Sequence, residues 1–221
     1  MKLRSTISFI ALLICACVHK TPEPGPSGPA AADCPHGYLS IRPGQNVQDP
    51  SSAELPDYID IVGIEASLAG ETLTATIYLR GIPQELTIGR EGVDPGTIEY
   101  MWIVEIDVDT IPEDDLDEYH APPLDYALGS LSLFGIPISE TETGMRPFAH
   151  ALRTEVWRYD YNDDDNFIEM NQVNAASLEV SHEDNSLTFI GDVPSITPHS
   201  HLYFWTFDFL SGQDGVSCSP E

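Results

Sequence analysis

Apolar and polar residues alternate with a period of two along much of the chain after residue 57. Leu73, Ala75, Ile77 and Leu79 alternate with Thr74, Thr76, Tyr78 and Arg80. That period puts one face of a β-strand in a core and leaves the other in water. Ala69-Gly70-Glu71 predicts a hairpin turn joining this strand to one over Ile59–Ser67. Tyr100, Trp102, Val104, Ile106 and Val108 share one face of a long strand. Its other face starts apolar with Met101 and Ile103 and turns acidic at Glu105, Asp107 and Asp109. Further strands are predicted over 125–134, 151–160 and 177–181, with a turn over His182–Ser186 leading into 187–191. Leu202–Leu210 is apolar on both faces, as a central strand should be. No segment after residue 17 has a helical period. Many short strands punctuated by Gly, Pro and Asp predict one antiparallel β-sandwich, with no internal repeat.

The first 33 residues break this pattern. Lys2 and Arg4 precede the apolar run Ile7–Cys15, which is too short to span a bilayer as a helix. Ile14-Cys15-Ala16-Cys17 resembles the lipobox of bacterial lipoproteins, in which an apolar residue and two small ones precede the acylated cysteine. The resemblance implies a signal peptide over 1–16, lipidation (palmitate included) at Cys17, and a membrane anchor. Cys15 is a second choice, since bulky Ile14 would precede it. Residues 17–33 are Pro-rich and predict an extended tether. The folded domain then covers 34–221. Val18 stands where an inner-membrane retention signal has Asp, so in a host with two membranes the outer one is expected. Cys34 and Cys218 are the remaining cysteines. An extracytoplasmic address favours their oxidation, and a disulfide closing so long a loop would contribute about 5 kcal/mol at most in the chain-entropy account.

Charge narrows the partners. The chain has 36 Asp+Glu against 9 Lys+Arg, a formal net charge of −27, and both lysines, Lys2 and Lys20, precede the domain. Such a surface should repel nucleic acid and anionic headgroups, leaving divalent cations, basic partners and sugars open. The plainer reading is a well-solvated acidic surface. Two loops concentrate the carboxylates. Asp160, Asn162 and Asp164 place oxygens at alternate positions, as a hard cation such as calcium requires. Asp165 at the glycine position and Asn171 at the position of the bidentate glutamate exclude a true EF-hand. The second loop runs from Glu105 to Asp125 and carries nine carboxylates, Asp107 and Asp109 among them.

Trp102-Ile-Val-Glu-Ile-Asp-Val-Asp109, an acidic loop, and then Asp125-Tyr-Ala-Leu128 resemble a pattern of extracellular sandwiches, among them DOMON-type domains and family 9 carbohydrate-binding modules. Ser195–Asp208 is similar to their closing strand. The resemblance covers roughly residues 57–212. It implies a jelly-roll-like fold, often calcium-bearing, that binds sugar or haem. No Met/His pair suited to haem stands out.

Aromatic residues suggest where a sugar would bind. Trp102 and Trp205 sit on apolar faces and are expected in the core. Trp157 shares its face with Arg153, Glu155 and Tyr159, a pair of rings among groups able to hydrogen-bond hydroxyls. The alternative is that this face simply turns inward. Glu105, Asp107 and Asp109 also resemble the Glu-x-Asp-x-Glu strand of family 16 glycoside hydrolases, where two carboxylates share acid and nucleophile roles. Here the last position is the shorter Asp, and that family's Trp-Pro-Gly context is missing. His199 and His201 find no third metal ligand, and Ser130 and Ser132 lack a nucleophile-elbow context. The expectation is a non-catalytic lipoprotein binding an extracellular carbohydrate with calcium support. A jelly-roll glycosidase and a structural envelope protein are the alternatives.

Overall fold

The computed structural model describes residues 39–48, 55–93, 97–108, 124–133, 143–161, 167–210 and 213–214. Thirteen strands run in chain order: β1 (Leu39–Ile41), β2 (Asn46–Gln48), β3 (Ile61–Ala69), β4 (Thr72–Leu79), β5 (Glu85–Ile88), β6 (Ile98–Asp107), β7 (Tyr126–Leu133), β8 (Gly144–Pro147), β9 (Arg153–Tyr161), β10 (Phe167–Ser181), β11 (Ser186–Asp192), β12 (His201–Asp208) and β13 (Gln213–Asp214). Among the described residues, one 3₁₀ turn over Phe148–Ala151 is the only helical element. The all-β expectation holds.

A single hydrogen-bonded path runs β1-β12-β6-β7-β9-β10-β11-β4-β3-β2, every pairing antiparallel. Strand β10 is its corner. Phe167–Ala175 pairs with β9, whereas Ala176–Ser181 pairs with β11 on the opposite edge. Between them the register slips, Gln172 facing Trp157 and Asn174 facing Val156, so Val173 is the extra residue of a bulge. A bulge bends its strand and sharpens the local twist. The sheet thereby folds over into two layers, which are called here the first sheet (β1, β12, β6, β7, β9 and the start of β10) and the second (the end of β10, β11, β4, β3 and β2).

Between the layers lies the main core. Trp102, Val104 and Ile106 of β6, Leu202 and Phe204 of β12, and Leu128 and Val156 face Leu73, Ala75, Ile77, Leu187 and Phe189. The predicted hairpin is present, with Gly70 at φ 66°. Asn185 (φ 52°) makes the turn predicted over 182–186. Gly191 permits the close approach of the layers: a Cβ there would lie 2.8 Å from Val156 Cγ2 and 2.9 Å from Leu128 Cδ1.

The approach to β3 closes one end. Trp102 Nε1 donates to Tyr58 O at 2.7 Å, and Thr206 Oγ1 donates to Ile59 O at 2.6 Å. Arg90, after β5, then ties the ends of β6 and β12 together. It donates to Glu99 Oε1 at 2.6 Å and to Asp208 Oδ1 at 2.7 Å, with its guanidinium 4.1 Å from the Tyr100 ring. Tyr58 OH completes the set by donating to Asp208 Oδ2. Glu99 and Asp208 are both buried, so this cation is what lets two carboxylates sit in the interior.

A second apolar cluster changes the picture of the first sheet. Met101, Ile103, Ala127, Leu131, Trp157 and Tyr159 are buried on its outer face, away from the main core. This sheet is therefore apolar on both sides, which is why Ile98–Val104 and Leu202–Phe209 read as double-faced. Trp205 is corrected by this. It packs against the outer cluster rather than in the main core, half-buried where Trp102 is fully enclosed.

Candidate functional site

Strand register assembles the outer face row by row, since residues paired across strands share a face. One row reads Phe207, Met101, Leu131 and Arg153; the next reads Trp205, Ile103, Gly129, Glu155 and Ala175. A third reads Tyr203, Glu105, Ala127, Trp157 and Gln172, and His201 pairs with Asp107 at the following corner. Gly129 and Ala127 make the middle of this surface low, and the rings stand on either side. Gly129 is also obligatory: a Cβ there would overlap Trp102 O and lie 2.7 Å from Ile103 Cα.

The four residues Arg153, Glu155, Trp157 and Tyr159 do share this face, as the alternation along β9 predicts. Their exposure is another matter. Trp157 and Tyr159 are 6% and 8% exposed and Glu155 is 7% exposed, so the rings form the floor of a packed layer rather than an open platform. The partly exposed margin consists of Tyr203, Trp205 and Phe207 on β12 with Arg153 and Gln172 opposite.

Electrostatics on this face are specific. Arg153 donates to Glu155 Oε1 from two nitrogens, each at 2.6 Å, and to Gln172 Oε1 at 3.2 Å. Tyr159 OH donates to Glu105 Oε1 at 2.7 Å. Burial pushes the Glu105 carboxyl up to about 7, against the smaller lowering effects of the Tyr159 hydroxyl and the nearby Trp205 indole. That indole N–H is close enough to act on Glu105, yet it makes no hydrogen bond of normal geometry.

One buried carboxylate oxygen on this face, Glu155 Oε2, has no hydrogen-bond partner among the described residues. An unsatisfied buried group costs about 1–3 kcal/mol, and native interiors keep few of them. Glu155 Oε2 can only accept, so a donor is what it lacks.

The other predicted positions fare differently. Asp160 is described, and its carboxylate is already engaged: Arg158 donates to it at 2.9 and 3.3 Å and Asn171 at 2.6 Å. The Arg158 hydrogen bonds hold it below the usual carboxylate range. Asn162 and Asp164 lie outside the described residues, as do Asp109, Cys17, Cys34 and Cys218. Asp107 is buried beside His201, while His199 sits in the turn before β12. Among the described residues, no three His, Cys, Asp or Glu side chains gather as a metal would require. Ser130 and Ser132 face inward, Ser130 hydrogen-bonded to Thr154.

Sequence reasoning missed Glu105 as a partly buried, desolvated carboxyl and missed Trp205, Tyr203 and Gln172 as neighbours of the Trp157 face. The available signal was the apolar character of both faces of β6 and β12, which requires a second packed layer. Comparison with known protein families, curated proteins and solved structures finds no match.

Proposed function

We propose that the chain is a non-catalytic, extracytoplasmic lipoprotein whose sandwich binds an extracellular carbohydrate on the outer face of the first sheet. The observation that carries this is the apolar layer on that face, with the partly exposed rings of Tyr203, Trp205 and Phe207 and the polar ends of Arg153 and Gln172 along its margin. Arg153 and Gln172 can hydrogen-bond sugar hydroxyls at that margin. The partly exposed rings of Tyr203, Trp205 and Phe207 supply the apolar surface that sugar faces stack on. The anchor at Cys17 and the tether over 17–33 belong to the same reading, with the outer membrane as the address in a two-membrane host. Calcium belongs to it as a support at the Asp107/Asp109 end of β6, because the oxygens of Asp160 are taken by Arg158 and Asn171.

A second reading rests on Glu105. A carboxyl pushed up to about 7 keeps part of its proton at neutral pH, which suits a general acid in glycoside hydrolysis with Glu155 as the second carboxylate. One experiment separates the readings: calorimetric titration of the purified protein with a panel of defined oligosaccharides, with released reducing ends assayed in the same samples. Saturable binding without release is expected. Release of reducing ends would establish the glycosidase, and failure to bind any of the panel would leave a structural envelope protein.

A further inference from the structure

We infer that the ligand is a linear, uncharged, β-linked glycan lying lengthwise on the aromatic ridge of β12, with several consecutive sugar units held at once. This rests on the carbohydrate reading above and specifies its ligand class.

The ridge comes from strict alternation. Leu202, Phe204, Thr206 and Asp208 are buried, whereas His201, Tyr203, Trp205 and Phe207 are partly exposed. Every outward position of the strand therefore carries a ring. At a rise of about 3.4 Å per residue, His201 and Phe207 stand roughly 20 Å apart. The His201 and Tyr203 rings lie within 25° of parallel, their centroids 6.3 Å apart. That offset is of the same order as one pyranose unit, whose C–H face packs on an aromatic ring. At the His201 end, exposed Arg42 donates to His201 Nε2 at 3.3 Å and has further N–H groups for sugar hydroxyls.

The surroundings decide against other occupants. A ridge one residue wide and about 20 Å long falls far short of the roughly 800 Å² per partner that a stable protein interface buries. A second copy would also bring its own formal net charge of −27 against the first. An extended peptide would need a free strand edge. Strand β12 pairs with β6 along its whole length, and its other edge holds β1 at Leu202–Phe204 and β13 at Phe207–Asp208. Only Trp205 and Thr206 lie between these two, too few for an added strand. A glycan needs ring faces and scattered donors instead. No outward position of β12 is a carboxylate or a guanidinium, and the charge of the chain turns away uronic and sulfated sugars. A β-linked chain runs extended with flat C–H faces, whereas an α-1,4-linked one coils away from a straight ridge.

The test is calorimetric titration of the full-length protein with β-1,4-linked oligomers of glucose, N-acetylglucosamine and mannose, each of two, four and six units. Maltohexaose and hexagalacturonate complete the set. At least one β-linked series should gain tenfold or more in affinity from dimer to hexamer. Maltohexaose and hexagalacturonate should bind at least tenfold more weakly than that hexamer. Tyr203→Ala and Phe207→Ala remove rings on either side of Trp205. Each should weaken the hexamer at least fivefold with the circular dichroism spectrum unchanged. Tyr78→Ala, a partly exposed ring on the second sheet, is the control and should matter less than twofold. Equal affinity for dimer and hexamer, or a loss in only one ridge variant, would mean a compact seat. Either result overturns the inference while leaving the carbohydrate reading intact, as would tightest binding by maltohexaose or hexagalacturonate. Absence of binding by every oligomer would sink both. Should an alanine variant fail to fold, the length series in wild type decides alone.

Discussion

The Tyr159 hydroxyl donates to Glu105 Oε1 at 2.7 Å, joining β9 to β6 across the intervening strand β7. The bridge passes over Ala127, whose small side chain leaves room for it. It is also the contact that keeps a desolvated carboxyl from rising further.

Glu105 should make stability fall with pH. Its folded value is raised to about 7 from an ordinary 4.5. Between those values the unfolded chain has released the proton that the folded one still holds, so each step up in pH favours unfolding. The penalty begins near pH 4.5 and is complete above about 7. At 1.36 kcal/mol per pH unit it amounts to roughly 3 kcal/mol. Glu105→Gln, compared with wild type in urea titrations at pH 4 and pH 8, should gain relative stability at the higher pH. Equal differences at the two values would show that Glu105 ionises as an ordinary surface carboxylate. Tyr159→Phe should carry the decline on to higher pH, because it removes a bond to the charged form.

Arg90→Met should destabilise the fold by about 3–5 kcal/mol, because it strands the buried Glu99 and Asp208 without their cation. Burial alone would raise the Asp208 carboxyl, but hydrogen bonds from Arg90 and Tyr58 hold it below the usual range. Its contribution is therefore present above the ordinary carboxylate value and lost as pH falls through the depressed one. Arg90→Lys should recover only part of the loss, since one ammonium cannot fork to both carboxylates while lying over Tyr100. Denaturant midpoints check both; a loss under about 1 kcal/mol for Arg90→Met would contradict the network's role.

Gly129→Ala should cost about 1–3 kcal/mol, the usual range for forcing an extra carbon into a packed interior. The obstacle is the β6 backbone at Trp102 and Ile103, which cannot rotate away as a side chain would. An unchanged denaturant midpoint would mean that β6 and β7 separate freely there.

Cys17→Ser should abolish incorporation of labelled palmitate and leave unprocessed precursor. Retained label would move the acylation site to Cys15 or remove it from this motif.

The strands with one wet face were legible in the sequence. Along β4 the alternation of Leu73, Ala75, Ile77 and Leu79 with threonines gives element, face and hairpin partner together. The first half of β10 was not, because Asn171, Gln172 and Asn174 have low strand propensity and are held by pairing to β9. Short β5 and β8 were missed for a related reason: their residues pair only with each other, and Leu86 and Ile88 show their core role only once the sandwich exists. At the site, periodicity along β9 grouped Arg153, Glu155, Trp157 and Tyr159 correctly. It could not place Trp205 and Glu105 beside them, because register between strands distant in sequence is set by tertiary pairing. Nor could it tell which of two apolar faces Trp205 would use.

The central claim is that a carbohydrate seats on the outer face of the first sheet, and tryptophan fluorescence tests it most directly. The chain has three tryptophans. Trp102 is enclosed in the main core, while Trp157 and Trp205 stand on the proposed face. Titration with the defined oligosaccharides of the calorimetric panel should shift the emission saturably in wild type and protect it from acrylamide quenching. The shift should vanish in Trp157→Phe/Trp205→Phe, which retains Trp102 as an internal report of folding. A shift that persists in the double variant would place the ligand elsewhere, and no shift in wild type at saturating oligomer would contradict the account.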